Sequence, residues 1–362
     1  MWTRPVIHVM GGESVSKSLI VATVLLALAL STSQTAMAAP GPDINAQSFE
    51  LAPAQADGIW ARSALAQGSL DWSLRVLTTL QNNSLAFSSR DNERTVTQRV
   101  HASLWTMQLA AASGWGKWTF AMTLPVALRI ASEGPNLLGF DRPLAPLFGD
   151  LRLEARRHLW QKVMAGIGQL DLAAGVMWAL PTGASGSWLS EGGARFDLMG
   201  IASWRRGPWS ADGSLIFRLR PLTQARVQLP PAASQVDPSV AVALAVGSEW
   251  LMQLEAERRW LRDRLGAHLA LQIRGAMSSQ ATSEQTLVEG MLYADWRMNR
   301  GAWKLWGGIG GGVTQAYGSA QVRGVGGVQF DPESVSRDSD DDGFDDRDDK
   351  CPNAAEDADG FE

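Results

Sequence analysis

An all-β fold, a transmembrane antiparallel β-barrel of about twelve strands, is what this sequence predicts. Three observations carry it. Apolar and polar residues alternate with period 2 over segments of about ten residues or more, the length a tilted strand needs to cross a bilayer. Charged residues fill the polar positions of several segments, as expected where that face lines a wet lumen. Sixteen tryptophans are present, many near segment ends, where interfacial aromatic girdles form.

The chain opens with the features of a secretory leader, residues 1–38. Arg4 and Lys17 supply positive charge, Leu19 to Leu30 is an apolar run of 12 residues, and Ala36-Met37-Ala38 is an A-x-A cleavage site. A run of that length is short for a membrane-spanning helix. Residues 39–69, rich in Ala, Pro and Gln, read as an extended lead-in.

Residues 70–330 carry the alternation. Leu70, Trp72, Leu74 and Val76 alternate with Asp71, Ser73 and Arg75. Trp118, Phe120, Met122 and Leu124 alternate with Lys117, Thr119, Ala121 and Thr123. Leu151, Leu153 and Ala155 face away from Asp150, Arg152, Glu154 and Arg156. The same pattern sets Leu215, Phe217 and Leu219 against Ser214 and Arg218, and Val288, Leu292, Ala294 and Trp296 against Glu289, Asp295 and Arg297. Strands are expected over 70–80, 95–112, 115–130, 149–160, 166–180, 193–205, 208–220, 239–252, 265–275, 285–298, 301–313 and 320–330. Turn signals separate them at Gly114, Gly116, Pro181-Thr182-Gly183, Gly207-Pro208 and Asn299-Arg300-Gly301. The Pro- and Gly-containing connections 131–148 and 221–238 read as extracellular loops. Glu249 to Leu265 is rich in helix formers, yet it reads as a strand, a turn and the next strand. A soluble β-sandwich, which also alternates, is the competing architecture.

A linker, 331–337, leads to an acidic tail, 338–362, with 12 acids and 2 bases. Its first copy has the D-x-D-x-D-G spacing of a calcium loop: alternate side chains point inward together, and Gly343 allows the sharp turn after them. By that template Asp338, Asp340 and Asp342 are side-chain ligands, Phe344 offers its carbonyl, and Asp346 and Asp349 complete the set. A second copy begins at Glu356, with Asp357 and Asp359 as ligands. Ca²⁺ is the one cofactor the sequence calls for. The alternative is a solvated acidic run.

The full spacing, from Asp338 through Cys351-Pro352, resembles a thrombospondin type 3 repeat. Leader, alternating body and such repeats together resemble bacterial outer-membrane proteins of the OmpA-like family, in the form that joins a barrel to a peptidoglycan-binding domain. The resemblance implies an outer-membrane barrel, structural or porin-like, with a periplasmic calcium-binding spacer. It also implies that Cys351, the only cysteine, pairs with a cysteine of a neighbouring repeat beyond residue 362, and that peptidoglycan is reached through a domain beyond it. Outer-membrane lipid and calcium are then the partners. The competing reading is a secreted calcium-dependent adhesion or binding protein.

Other functions find little support. No basic run suggests nucleic acid as a partner. His101, His158 and His268 lack H-E-x-x-H or Cys/His spacing, and Gly307 to Gly312 does not complete G-x-G-x-x-G. No catalytic residues are assigned, and the chain is not expected to be an enzyme.

Overall fold

The computed structural model describes residues 49–68, 71–91, 94–131, 146–183, 189–228, 241–261, 263–277, 286–298, 302–314, 316 and 318–332. The leader and the whole acidic tail, with Asp338, Asp340, Asp342, Phe344, Asp346, Asp349, Asp357, Asp359 and Cys351, lie outside the described residues. Fifteen strands are found among the described residues: β1 (Trp72–Asp91), β2 (Arg94–Trp115), β3 (Trp118–Ala131), β4 (Leu147–Phe148), β5 (Leu151–Met164), β6 (Gly168–Leu180), β7 (Arg195–Arg206), β8 (Trp209–Leu219), β9 (Thr223–Gln228), β10 (Ala241–Val246), β11 (Glu249–Trp260), β12 (Leu265–Ala276), β13 (Leu287–Met298), β14 (Trp303–Gly312) and β15 (Val322–Phe330).

Twelve of them close a barrel. Each pairs antiparallel with its neighbours in chain order, β4, β9 and β10 set aside, and β1 pairs with β15 from Leu74↔Phe330 to Asn82↔Val322. Closure leaves no sheet edge, so every strand finds its backbone partners inside the sheet. One closed sheet excludes the two-sheet sandwich.

The pleat sorts the residues as the sequence pattern predicts. On β8, Ser214, Ile216 and Arg218 are buried while Leu215, Phe217 and Leu219 are each more than 40% exposed. On β13, Glu289, Met291, Tyr293 and Asp295 face inward, and Leu292 faces out. This is the inverse of a soluble protein: charge inside, an apolar belt outside.

The two rims differ. One carries the tight connections: Gly116-Lys117, residues 165–167, Gly207-Pro208 and the turn after Trp260. In that last turn Leu261 and Asp263 take positive φ, 55° and 62°. Both barrel ends lie on the same rim, where the Phe330 ring packs 5.7 Å from Trp72 and 4.5 Å from Trp303. Trp115, Trp118, Trp209, Trp260, Trp296 and Trp303 stand on the outer surface near it, a girdle of rings at one interface. The opposite rim carries nearly all the long connections.

One expected strand, 239–252, is two. Ala241–Val246 leaves the barrel and pairs with Thr223–Gln228 as a separate hairpin, so part of the connection expected over 221–238 is also strand. The barrel strand is Glu249–Trp260, which carries no helix; its Trp260 pairs with Leu265 across the turn.

Candidate functional site: a lumen filled by its own chain

The lead-in does not lie outside the barrel. Its described part, residues 49–68, threads the lumen. Phe49, Ala52, Trp60 and Ala61 have 0% exposure. Phe49, Leu51, Ile59 and Trp60 form one apolar cluster with the wall residues Leu77, Met291, Tyr293, Trp306 and Val325. Burying side chains of this size stabilises the docked segment by roughly 1.5–3 kcal/mol each. Ala64 sits among Met177, Met199, Ile201, Ile216 and Leu251, and Ala54 against Ala112 and Ala121. Gly58 packs closely on the wall: a Cβ there would fall 1.9 Å from Glu255 Oε1 and would push that carboxylate aside.

Backbone groups taken from water must be paired, and the wall supplies partners. Arg75 of β1 donates to the carbonyls of Ala52, Gly58, Ala54 and Asp57 at 2.5–2.9 Å. Gln108 accepts from Leu51 N and donates to Phe49 O. Ile59 N–H donates to the Tyr293 hydroxyl at 3.0 Å, Ala64 N–H to Ser203 Oγ at 2.7 Å, and Gln67 N–H to Thr119 Oγ1 at 3.1 Å. Such contacts climb from the tight-turn rim, near Gln67, into the upper lumen, near Phe49.

Charge locks the segment at three heights. Glu50 lies among Arg218 (2.7 Å), Arg195 (2.8 Å) and Arg152 (3.7 Å). Burial works to raise its carboxyl, but these arginines together with Arg62 outweigh it and hold the group well below the ordinary carboxylate range. Asp57 receives two bonds from Arg156 (2.7 and 3.1 Å) and accepts from Ala54 N and Ser63 N. Burial raises this carboxyl too, yet Arg156 and then Arg75 bring it below its usual value. Arg62 points outward from the segment to Glu154 at 2.8 Å.

Above Glu50 residues 189–194, which lead into β7, fold over the lumen. Glu191 contacts Arg195 (2.6 Å) and Arg220 (3.3 Å). Burial pushes its carboxyl up, but the arginines win and hold it at about 2. Asp150 ties this connection to β5 by accepting from Gly183 N, Ser190 Oγ and Glu191 N; burial dominates there and raises its carboxyl.

The inward-facing Arg75, Arg152, Arg156 and Arg218 were legible as lumen residues. Their partners Glu50 and Asp57, and Arg62, which pairs with Glu154, were missed, because the lead-in has no periodicity. A usable signal was present: Phe49, Leu51, Ile59 and Trp60 are costly to leave in water.

No family model matches the chain, and no curated protein is similar to it. Among solved structures it is similar to the COG4313 outer membrane channel from Pseudomonas putida F1, with a TM-score of 0.53 and 14% identity over 76% of this chain and 99% of that one. The translocator domain of autotransporter NalP from Neisseria meningitidis (TM-score 0.39, 14% identity, 73% and 89% covered) and the Pseudomonas putida toluene transporter TodX (TM-score 0.36, 9% identity, 78% and 99% covered) are more remote. This chain therefore has an outer-membrane barrel fold, closed by twelve antiparallel strands and similar to that of a Gram-negative outer-membrane channel.

Proposed function

We propose that the protein is an outer-membrane channel for small solutes whose lumen is held shut by residues 49–68. The observation that carries this reading is the Arg75 guanidinium, gripped by four carbonyls of a segment that belongs to no strand. A barrel that only stiffens a membrane has no need of a separate segment in its interior. Small outer-membrane barrels have short periplasmic turns and longer extracellular loops, which puts the tight-turn rim and both barrel ends in the periplasm. In planar bilayers the intact chain is expected to conduct in rare, brief openings, and the chain lacking residues 49–68 to conduct steadily. Equal conductance from both, with barrel assembly verified by heat-modifiable gel mobility, would overturn it.

On this orientation the acidic tail continues into the periplasm as a calcium-binding spacer. Its support is the ligand spacing of Asp338, Asp340, Asp342, Phe344, Asp346 and Asp349. Neutralising so acidic a segment converts a self-repelling chain into a compact one. Anchoring to peptidoglycan would need the further domain that the OmpA-like resemblance implies. Calcium titration should show saturation on the order of 10⁻⁴–10⁻³ M. Asp340→Ala with Asp342→Ala should abolish it; unchanged binding would remove the assignment.

A further inference from the structure

We propose that Glu257, His268 and Asp295 form a binding site for a divalent transition-metal ion of the Zn²⁺ class, inside the barrel near the tight-turn rim. These residues come from the adjacent strands β11, β12 and β13. One ligand atom from each lies within 4.8 Å of the other two. His268 Nε2 is hydrogen-bonded to Asp295 Oδ1 at 2.6 Å, a bond that a metal ion would replace, and lies 3.8 Å from Glu257 Oε1. One imidazole with two carboxylates is a donor set that suits Zn²⁺ and leaves a fourth position for water.

Two further observations point to a ligand. The first is the space at Gly266. A Cβ built there would stand 3.0 Å from His268 Nε2, 3.0 Å from Glu257 Oε1 and 2.5 Å from Asp295 Oδ1. The three donors thus surround the position that the glycine leaves without a side chain. Glu257 and His268 also line a cavity of about 360 Å³ between the wall and the lumen segment. The second is the other ring nitrogen. His268 Nδ1 lies 3.1 Å from Glu255 Oε1, the carboxylate partner that fixes the tautomer and orientation of a metal-binding imidazole.

Neighbouring charges set the competition. Arg259 lies against Glu257 and is 3.0 Å from Asp295; Lys304 and Arg297 line the same cavity. Three carboxylates, counting Glu255, balance these three cations, so a dication binds by displacing Arg259 from Glu257 and Asp295.

The test uses the full chain in detergent, titrated with ZnCl₂ by calorimetry in millimolar CaCl₂, which occupies the tail. Wild type and Asp340→Ala/Asp342→Ala are expected to bind one Zn²⁺ equivalent tightly. His268→Gln and Glu257→Gln are expected to weaken it by about 100-fold, since even outer-shell changes cost 10–100-fold. Gly266→Ala should also weaken binding, by filling the room, and Arg259→Gln should tighten it. Glu257 is the most accessible of the ligands, so its variant keeps the test open if His268→Gln does not assemble. Absence of the tight equivalent in wild type, or its survival in Glu257→Gln and Gly266→Ala, overturns the site.

Discussion

Arg75→Ala is expected to raise the population of open channels by two to three powers of ten. Its guanidinium donates to four carbonyls of the lumen segment and stacks 5.2 Å from the Trp306 ring centroid. A buried polar group left without its partner costs about 1–3 kcal/mol. Water entering the space of the lost side chain would satisfy some of the four, so a net loss of about 3–4 kcal/mol is reasonable. At 1.4 kcal/mol per tenfold this gives the stated shift. The segment stays in place for part of the time through Glu50, Asp57 and Arg62, so openings should be frequent rather than permanent. Arg75→Lys should fall between, because an ammonium is a point charge with three donors and cannot span four carbonyls as the planar fork does. Single-channel recording measures the open probability directly. Trypsin provides a second measure, since Arg62 is a cleavage site only 1% exposed while the segment is docked. Opening and cleavage both at the wild-type level in Arg75→Ala would mean that Arg75 does not hold the segment.

The wall was legible residue by residue because a closed sheet obeys one local rule. Leu215, Phe217 and Leu219 against Ser214 and Arg218 give the face of each side chain without reference to any distant residue. The rule failed where alternation ran past the barrel. In Ala241 to Val246 the pattern is that of a strand, and it is a strand, but it pairs with Thr223–Gln228 rather than with a barrel neighbour. Pairing is not local, and only Gly247-Ser248 marks the join to Glu249. The lumen segment fails for a related reason. Its backbone partners are side chains such as Arg75, Gln108, Tyr293 and Ser203, scattered over four strands, so it needs no period of its own. The charged face of the strands was read as the lining of a wet pore. Arg152, Arg156, Arg195 and Arg218 are instead buried, each facing carboxylates of the segment or of neighbouring strands. The sequence pattern distinguishes inside from outside; it does not say what fills the inside.

Asp57 and Arg156 are expected to show a coupling energy of at least about 2 kcal/mol in a double-mutant cycle. Removing one member of a buried pair costs about 3–5 kcal/mol, because the other is left as an uncompensated charge. Removing both avoids that penalty. In Asp57→Asn the side chain keeps an acceptor for one of the two amides it now serves, Ala54 N–H and Ser63 N–H, but Arg156 loses the nearer of its two carboxylates and keeps only Glu154, 3.1 Å away. In Arg156→Leu the carboxylate keeps both amides and loses both guanidinium bonds. The double variant should therefore release the segment much less than the sum of the singles, read as the rate of trypsin cleavage at Arg62 where cleavage follows the open population. Additive effects would mean that the pair contributes no more than two independent side chains. The same charges fix the response to acid. Glu50 and Asp57 have carboxyl groups held below their ordinary values by arginines. For a depressed carboxyl the stabilisation is complete above the unfolded value, about 4, and is lost as pH falls below it toward the folded one. Conductance of the intact chain is accordingly expected to stay low from neutrality to about pH 4.5 and to rise only under stronger acid. Opening near pH 6 would be incompatible with carboxylates locked in this way, since neither group binds a proton there.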